Sequence, residues 1–559
     1  MRKILRNNYR ILLNFVQISE MKKLFFLLLL NLLLFSCARV GNPNGGAKDS
    51  LAPKFLRSNI DTTRVNVSRN LKELRLDFDE YVNLKDINKN LRISPEIKKI
   101  KKIIPSNLAN KYVLIQWEDT LKANTTYNFN FGNAIADNNE GNILPYFNFA
   151  FSTGEKLDDL FVSGTVSDGV TFRKKDAEPK ENKLVVGLYD AVENVDFKQK
   201  PNYITKVDEE NYFEVNYLKK GDYYIIAFDD DNQNSVYDPG KEKVGFLKDK
   251  ITLDSTSLRG LKLKIYPSKK TVKYKDYKSV NGGLLLTFEG NPDKVDIKSI
   301  SDELTDYKVT HAPKSDSVNI WFTQENNNFP REQLTNQLKL SYVTEAKSDT
   351  VSVSYKAAKL DFKLSNKDGN LLVPENAFRI ESSLPLDKID TSAWKLESDS
   401  ISQNFTAKIS EKSPFIILVN SDFKPGKKYV LSVAKESVFS YYAKNDKSAY
   451  QFEFEADKPE NYGGFKVTLS NKPTAKFWIE LIDEKGEVKY SKFTDEPIIS
   501  FTNLKPATYY VRIKVDSNGN GNWDEADFAN KILAEEVFIF EKEVVIRPMW
   551  TIEENWDLK

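Results

Sequence analysis

The chain has 559 residues, too many for one ordinary hydrophobic core, so several domains are expected. Its 82 Lys+Arg balance 80 Asp+Glu, which leaves no basic excess to serve nucleic acid as a partner. A single cysteine, Cys37, and a single histidine, His311, exclude an internal disulfide and a thiolate zinc site. His311 stands in "VTHAPKS", a turn-like stretch without a G-x-S-x-G nucleophile motif, and reads as a solvated loop residue. Aromatic residues make up 12% of the chain, which favours strands because flat side chains pack well on a pleated surface.

The first element is "MKKLFFLLLLNLLLFSC", Met21 to Cys37. Lys22 and Lys23 precede a short apolar run that is too short to span a bilayer and suits a secretory signal. Residues 1–36 are therefore expected to be an upstream extension and signal peptide, with Met21 as the start. Ending in Leu34-Phe35-Ser36-Cys37, the run resembles a bacterial lipoprotein signal, which implies a lipid on Cys37 and a membrane anchor. Residues 37–50, rich in Gly, Asn and Pro, read as a flexible tether. The stretch "CARVGNPNGGAKDSLAP" is similar to the start of Bacteroidota outer-membrane lipoproteins. The acidic surface-export mark of that phylum is absent after Cys37, so the resemblance leaves the periplasmic and cell-surface sides both open.

Beyond the tether the chain reads as all-β, a series of tandem β-sandwich modules. "LKELRLDFDEYVNL" (Leu71 to Leu84) and "KYVLIQW" (Lys111 to Trp117) alternate apolar and polar residues, as half-buried strands do. Phe78-Asp79-Glu80, Leu121 to Tyr127 and Phe149 to Thr153 carry three motifs of the bacterial (SbsA-type) Ig-like domain, and residues 51–156 resemble that family. A second copy is expected at 359–458. Phe78, Ile87 and Tyr127 match Ile380, Ile389 and Tyr429 at a constant separation of 302, the mark of an internal repeat.

A different pair occupies 157–267 and 459–559. "FEVNYLKKGDYYIIAFDDDNQNSVYD" aligns with "ISFTNLKPATYYVRIKVDSNGNGNWD", with Leu218, Tyr223 and Asp230 each 286 residues before Leu504, Tyr509 and Asp516. These segments resemble the prealbumin-like sandwich of carboxypeptidase-regulatory-type domains. Tyr223 and Tyr224 point to opposite sheet faces, so one should be core and the other exposed. The region between the pairs, 268–358, has strand runs such as "GGLLLTF" and "TVSVSY" and reads as a divergent Ig-like sandwich.

Each prealbumin-like copy contains an Asp/Asn loop: Asp230, Asn232, Asn234 and Asp238 in the first, Asp516, Asn518, Asn520 and Asp524 in the second. Oxygens at positions 1, 3, 5 and 9 are the donors a calcium loop supplies. At position 12 stand Lys241 and Asp527, so neither is an EF-hand, and Asp527 makes the second the better cage. Calcium is the one cofactor to consider; the competing reading is ordinary Asn/Asp turn chemistry.

These features point to a non-enzymatic, lipid-anchored scaffold or binding subunit of the outer membrane, partnered with an outer-membrane protein complex of assembly, export or envelope maintenance. The alternative is a surface carbohydrate-binding or adhesion protein, with Tyr441, Tyr442 and Trp523 as candidate glycan contacts. No catalytic residue stands out.

Overall fold

The structure is a computed structural model that describes residues 49–171, 183–330, 335–356, 361–442 and 449–559. The signal segment, most of the tether and Cys37 lie outside the described residues. Among the described residues, no helix is long and apolar enough to cross a membrane. The helical elements described are the single turns Ile87–Asn90 and Pro459–Asn461, and all the rest is strand, turn and loop.

Among the described residues the strands group into five sandwiches, and no sheet mixes strands from two of them. In the first, Phe55–Ser58, Glu73–Leu84, Asn110–Trp117 and Ile100–Ile104 lie side by side in that order. They face a sheet of Arg92–Ser94, Thr126–Gly132 and Phe147–Ser152. Alternation builds this core: Leu74, Leu76 and Phe78 point inward onto Phe129, Phe149 and Phe151, while Arg75 and Asp77 pair on the outer face. The third sandwich repeats this strand order with Lys273–Val280, Gly283–Glu289, Ser317–Trp321 and Lys308–His311. The fourth does so with Leu364–Asn366, Phe378–Ser382, Ser413–Ser421 and Phe405–Ser410. His311 thus ends an edge strand, its ring bonded to the Ser315 carbonyl at 3.1 Å, and is not the loop residue its sequence context suggests.

The second and fifth sandwiches share another topology. Leu160–Asp168 pairs in parallel with Leu258–Ile265, and Gly463–Ser470 does the same with Thr551–Asp557. In each, the strand bearing the twin tyrosines, Gly221–Asp229 or Thr508–Val515, is central to the opposite sheet. Tyr223 is buried as core, but Tyr224 is not exposed as alternation predicts. Phe197 packs on its edge and Lys531 Nζ sits 3.8 Å over its ring. The outer sheet face is covered because the chain comes back to it.

That return is the main departure from a string of modules. A sixth apolar cluster joins Tyr189, Phe228, Tyr237 and Phe246 of the second sandwich to Ala526 and Phe528 of the fifth. Backbone bonds seal the seam: Ala526 N–H donates to the Pro267 carbonyl (3.1 Å) and Lys269 N–H to the Ala526 carbonyl (2.8 Å). Arg512 donates to the Val170 carbonyl, 342 residues away in sequence. Trp321 of the third sandwich packs on Phe415 of the fourth at 5.6 Å. Asn503 of the fifth reaches the Pro374 carbonyl of the fourth at 3.2 Å.

One loop shows how a single acid organises a module. Asp137 is 2% exposed, and its Oδ1 accepts from the N–H groups of Asn139, Glu140 and Gly141 while Oδ2 accepts from Asn142, all at 2.7–2.9 Å. Burial pushes its carboxyl up, but the four donors together outweigh it and hold the group below its ordinary 3.8. Its stabilising contribution is therefore present above the ordinary carboxylate range and is lost as pH falls through the lowered folded value. Asp137→Ala is expected to destabilise the first sandwich by about 2–4 kcal/mol near neutral pH, and by less in acid. Urea titrations at both pH values check this, and an unchanged midpoint would refute the role.

Candidate functional site: paired Asp/Asn loops at module junctions

Each loop leaves the end of the twin-tyrosine strand, and the two copies are wired almost identically. The position-1 carboxylate accepts from the position-6 N–H: Ser235 to Asp230 at 3.1 Å, Gly521 to Asp516 at 2.9 Å. The position-3 amide oxygen accepts from position 5, Asn234 to Asn232 and Asn520 to Asn518, each at 2.9 Å. The position-5 oxygen accepts from position 7, at 2.6 Å from Val236 and 2.7 Å from Asn522. The position-3 Nδ2 donates to the position-9 carboxylate, at 2.8 Å in the first loop and 2.6 Å in the second.

Sequence spacing missed a buried glutamate in each loop. Glu242 accepts from Asp231 N–H (3.1 Å) and Asp238 N–H (2.9 Å). Glu535 accepts from the N–H groups of Ser517, Asn518 and Asp524 at 2.6–3.1 Å. Burial pushes the Glu242 carboxyl up to about 7, with its backbone donors offsetting only part of that rise. Glu242 stands one position beyond the Lys241 that the calcium-loop template points to, whereas Glu535 is too far along the chain for any fixed spacing to find. Asp527, the position-12 candidate, is bonded within its own turn. Both its oxygens accept from Asn530, at 3.2 Å and 2.8 Å.

The copies differ in the cation at position 1. Arg92, from the first sandwich, lies 3.7 Å from Asp230 Oδ2, with side-chain exposures of 6% and 2%. In the second loop, Lys314 of the third sandwich bonds Asp524 Oδ1 at 3.1 Å, while Asp516 Oδ1 is buried and has no hydrogen-bond partner among the described residues. Among the described residues, no three His, Cys, Asp or Glu side chains converge as a metal-binding group. What the second loop gathers is two carboxylates and two amides. Arg92→Ala leaves Asp230 as an uncompensated buried charge and should cost about 3–5 kcal/mol. Denaturant unfolding checks this, and a loss below about 1 kcal/mol would show the pair to be immaterial.

The three aromatic candidates occupy junctions rather than an open platform. Lys308 Nζ lies 4.0 Å over the Tyr441 ring, and the Tyr442 hydroxyl donates to Asp306 at 3.2 Å, both across the third–fourth boundary. Burial beside Asp306 raises the Tyr442 hydroxyl pKa. Trp523 Nε1 donates to the Glu535 carbonyl at 3.0 Å, Lys514 Nζ stands 5.0 Å over its ring, and Tyr266 packs at 6.3 Å.

This architecture defines a tandem β-sandwich protein with repeated modules. Within it, residues 49–153 match the bacterial Ig-like domain family. No curated protein matches the chain. Among solved structures, domains 1–6 of the surface layer protein SbsC are 10% identical, covering 89% of this chain and 67% of that one with a TM-score of 0.15. BcpA, the major pilin subunit of Bacillus cereus, is 12% identical over 71% of this chain and 98% of its own, with a TM-score of 0.13. The BSP domain of a biofilm associated protein is 10% identical over 85% and 97%, with a TM-score of 0.14. Scores of that size establish no common arrangement of modules.

Proposed function

We propose that the protein is a non-enzymatic scaffold or binding subunit of the outer membrane, held by a lipid on Cys37 and partnered with an outer-membrane protein complex. The observation that carries this reading is the set of buried cross-module contacts, Arg92 with Asp230, Phe528 of the fifth sandwich against the second, and Trp321 on Phe415. Modules locked in this way present their end loops at fixed mutual positions, which suits a partner that is itself rigid. The lipoprotein-like signal supplies the address.

The test is co-purification of a tagged copy from gently solubilised membranes, with and without Cys37→Ala. A stoichiometric outer-membrane protein, lost from the Cys37→Ala sample, is the expected result. Recovery of the protein alone from both samples would sink the scaffold reading and favour a search for glycan ligands.

A further inference from the structure

The two copies of the Asp/Asn loop act as controls for one another. Both place a nearly fully buried aspartate at position 1, with Asp230 at 1% exposure and Asp516 at 3%. In the first copy that aspartate has a guanidinium at 3.7 Å. In the second, Asp516 Oδ2 accepts from Gly521 N–H inside the loop, and Oδ1 beside it has no partner among the described residues. A buried carboxylate oxygen with neither donor nor cation is costly, so a ligand that supplies positive charge there is favoured.

The rest of the loop closes on its position-9 carboxylate. Asn518 and Asn520 both direct Nδ2 at a single oxygen, Asp524 Oδ2, at 2.6 and 2.8 Å. Asp524 Oδ1 is turned outward to Lys314, so Oδ2 is the oxygen left for the interior. The amide oxygens of Asn518 and Asn520 each accept one backbone N–H, from Asn520 and Asn522, and each keeps a second lone pair that a cation can use.

We propose that this loop is a divalent-cation site of the calcium type, in which Asp516 Oδ1 takes from solution the positive charge that its counterpart Asp230 takes from Arg92. Asp516, Asn518, Asn520 and Asp524 supply the oxygens, and Glu535 holds the loop backbone around them through three N–H groups. Carboxylate and amide oxygens on a flexible turn suit Ca²⁺, whereas Mg²⁺ demands a stricter octahedron. The bound ion also stiffens the segment that carries Trp523, Ala526 and Phe528 onto the second sandwich, so it couples to docking of the fifth.

The test uses the purified full chain stripped with chelator and titrated with CaCl₂, with MgCl₂ as comparator, read by calorimetry and thermal melting. One equivalent of Ca²⁺ with Kd on the order of 10⁻⁴–10⁻³ M is expected, as in extracellular modules. Asp516→Asn should abolish it, Asp524→Asn should weaken it at least about tenfold, and Asp238→Asn in the first loop should leave it unchanged. Without calcium, Asp516→Asn should melt no lower than the wild type, because the neutral amide relieves the unpaired charge; a merely structural aspartate would give a lower melting point. The proposal is overturned if the wild type takes up no Ca²⁺ at about 10 mM, well above that range. It is equally overturned if the bound equivalent survives Asp516→Asn or disappears in Asp238→Asn.

Discussion

Phe528→Ala is expected to release the fifth sandwich from the second while leaving both folded. The Phe528 ring is 4% exposed, yet it does not belong to the core of its own sandwich. Its neighbours are Phe197 at 4.5 Å, Phe246 at 5.1 Å, Tyr237 at 6.0 Å and Tyr189 at 6.3 Å, all in the second sandwich. Truncating a buried phenylalanine costs about 3–5 kcal/mol, and here the whole loss falls on docking. The remaining seam, made of the backbone bonds, the Arg512 contact with Val170, Lys531 over Tyr224 and Trp523 against Tyr266, is left without its largest buried ring. X-ray scattering should show a larger radius of gyration, with little change in the circular dichroism of the strands. A scattering curve that superposes on that of the wild type would show that the seam does not depend on this ring.

Gly164→Ala should act inside one module and as strongly. Gly164 pairs with Leu261 in the parallel ladder of the second sandwich. A Cβ built there lies 2.1 Å from the Leu261 carbonyl oxygen, 2.7 Å from its carbon and 2.8 Å from its nitrogen. All three are backbone atoms, so no side-chain rotation relieves the clash, and the strands must separate or shift register. A loss of about 3–5 kcal/mol is expected, at the upper end for a point change. Gly260 on the partner strand is the control. Its φ of +71° is strained for alanine, but nothing lies within 4 Å of the added carbon. Gly260→Ala should therefore cost only about 1 kcal/mol. Urea midpoints that shift equally in the two variants would contradict the pairing of Gly164 with Leu261.

The contrast between these positions also explains what could be read from the residues alone. Repeats left a trace because their signatures are local. Tyr127 and Tyr429, 302 residues apart, each accept a bond from a lysine N–H five positions earlier, Lys122 and Lys424. Tyr223 and Tyr509, 286 apart, each donate to a lysine carbonyl four positions earlier, Lys219 and Lys505. Strand alternation marked Leu74, Leu76 and Phe78 as core for the same reason. Arg92 and Phe528 left no such trace, since neither belongs to a periodic pattern that announces a partner in another module. The Tyr224 expectation failed on the same ground: alternation says which face a residue takes, and only packing between modules says whether that face meets water. In the loops, the spacing of Asp516, Asn518, Asn520 and Asp524 was visible, but Glu535 was not, because a long excursion separates it from the turn it holds.

The returning chain has a consequence for biogenesis. The second sandwich is complete at Ile265, yet the ring that covers its outer face is Phe528. At about 5–20 residues per second, the ribosome needs roughly 15–50 s to make the stretch between them. Throughout that interval Phe197, Tyr224 and Phe246 form an uncovered aromatic face on a finished module. A nascent chain of this design therefore carries a timed window of stickiness, which closes only when the last module emerges. Holdase chaperones are expected to engage it in that window, and a chain stopped before residue 528 should keep them bound.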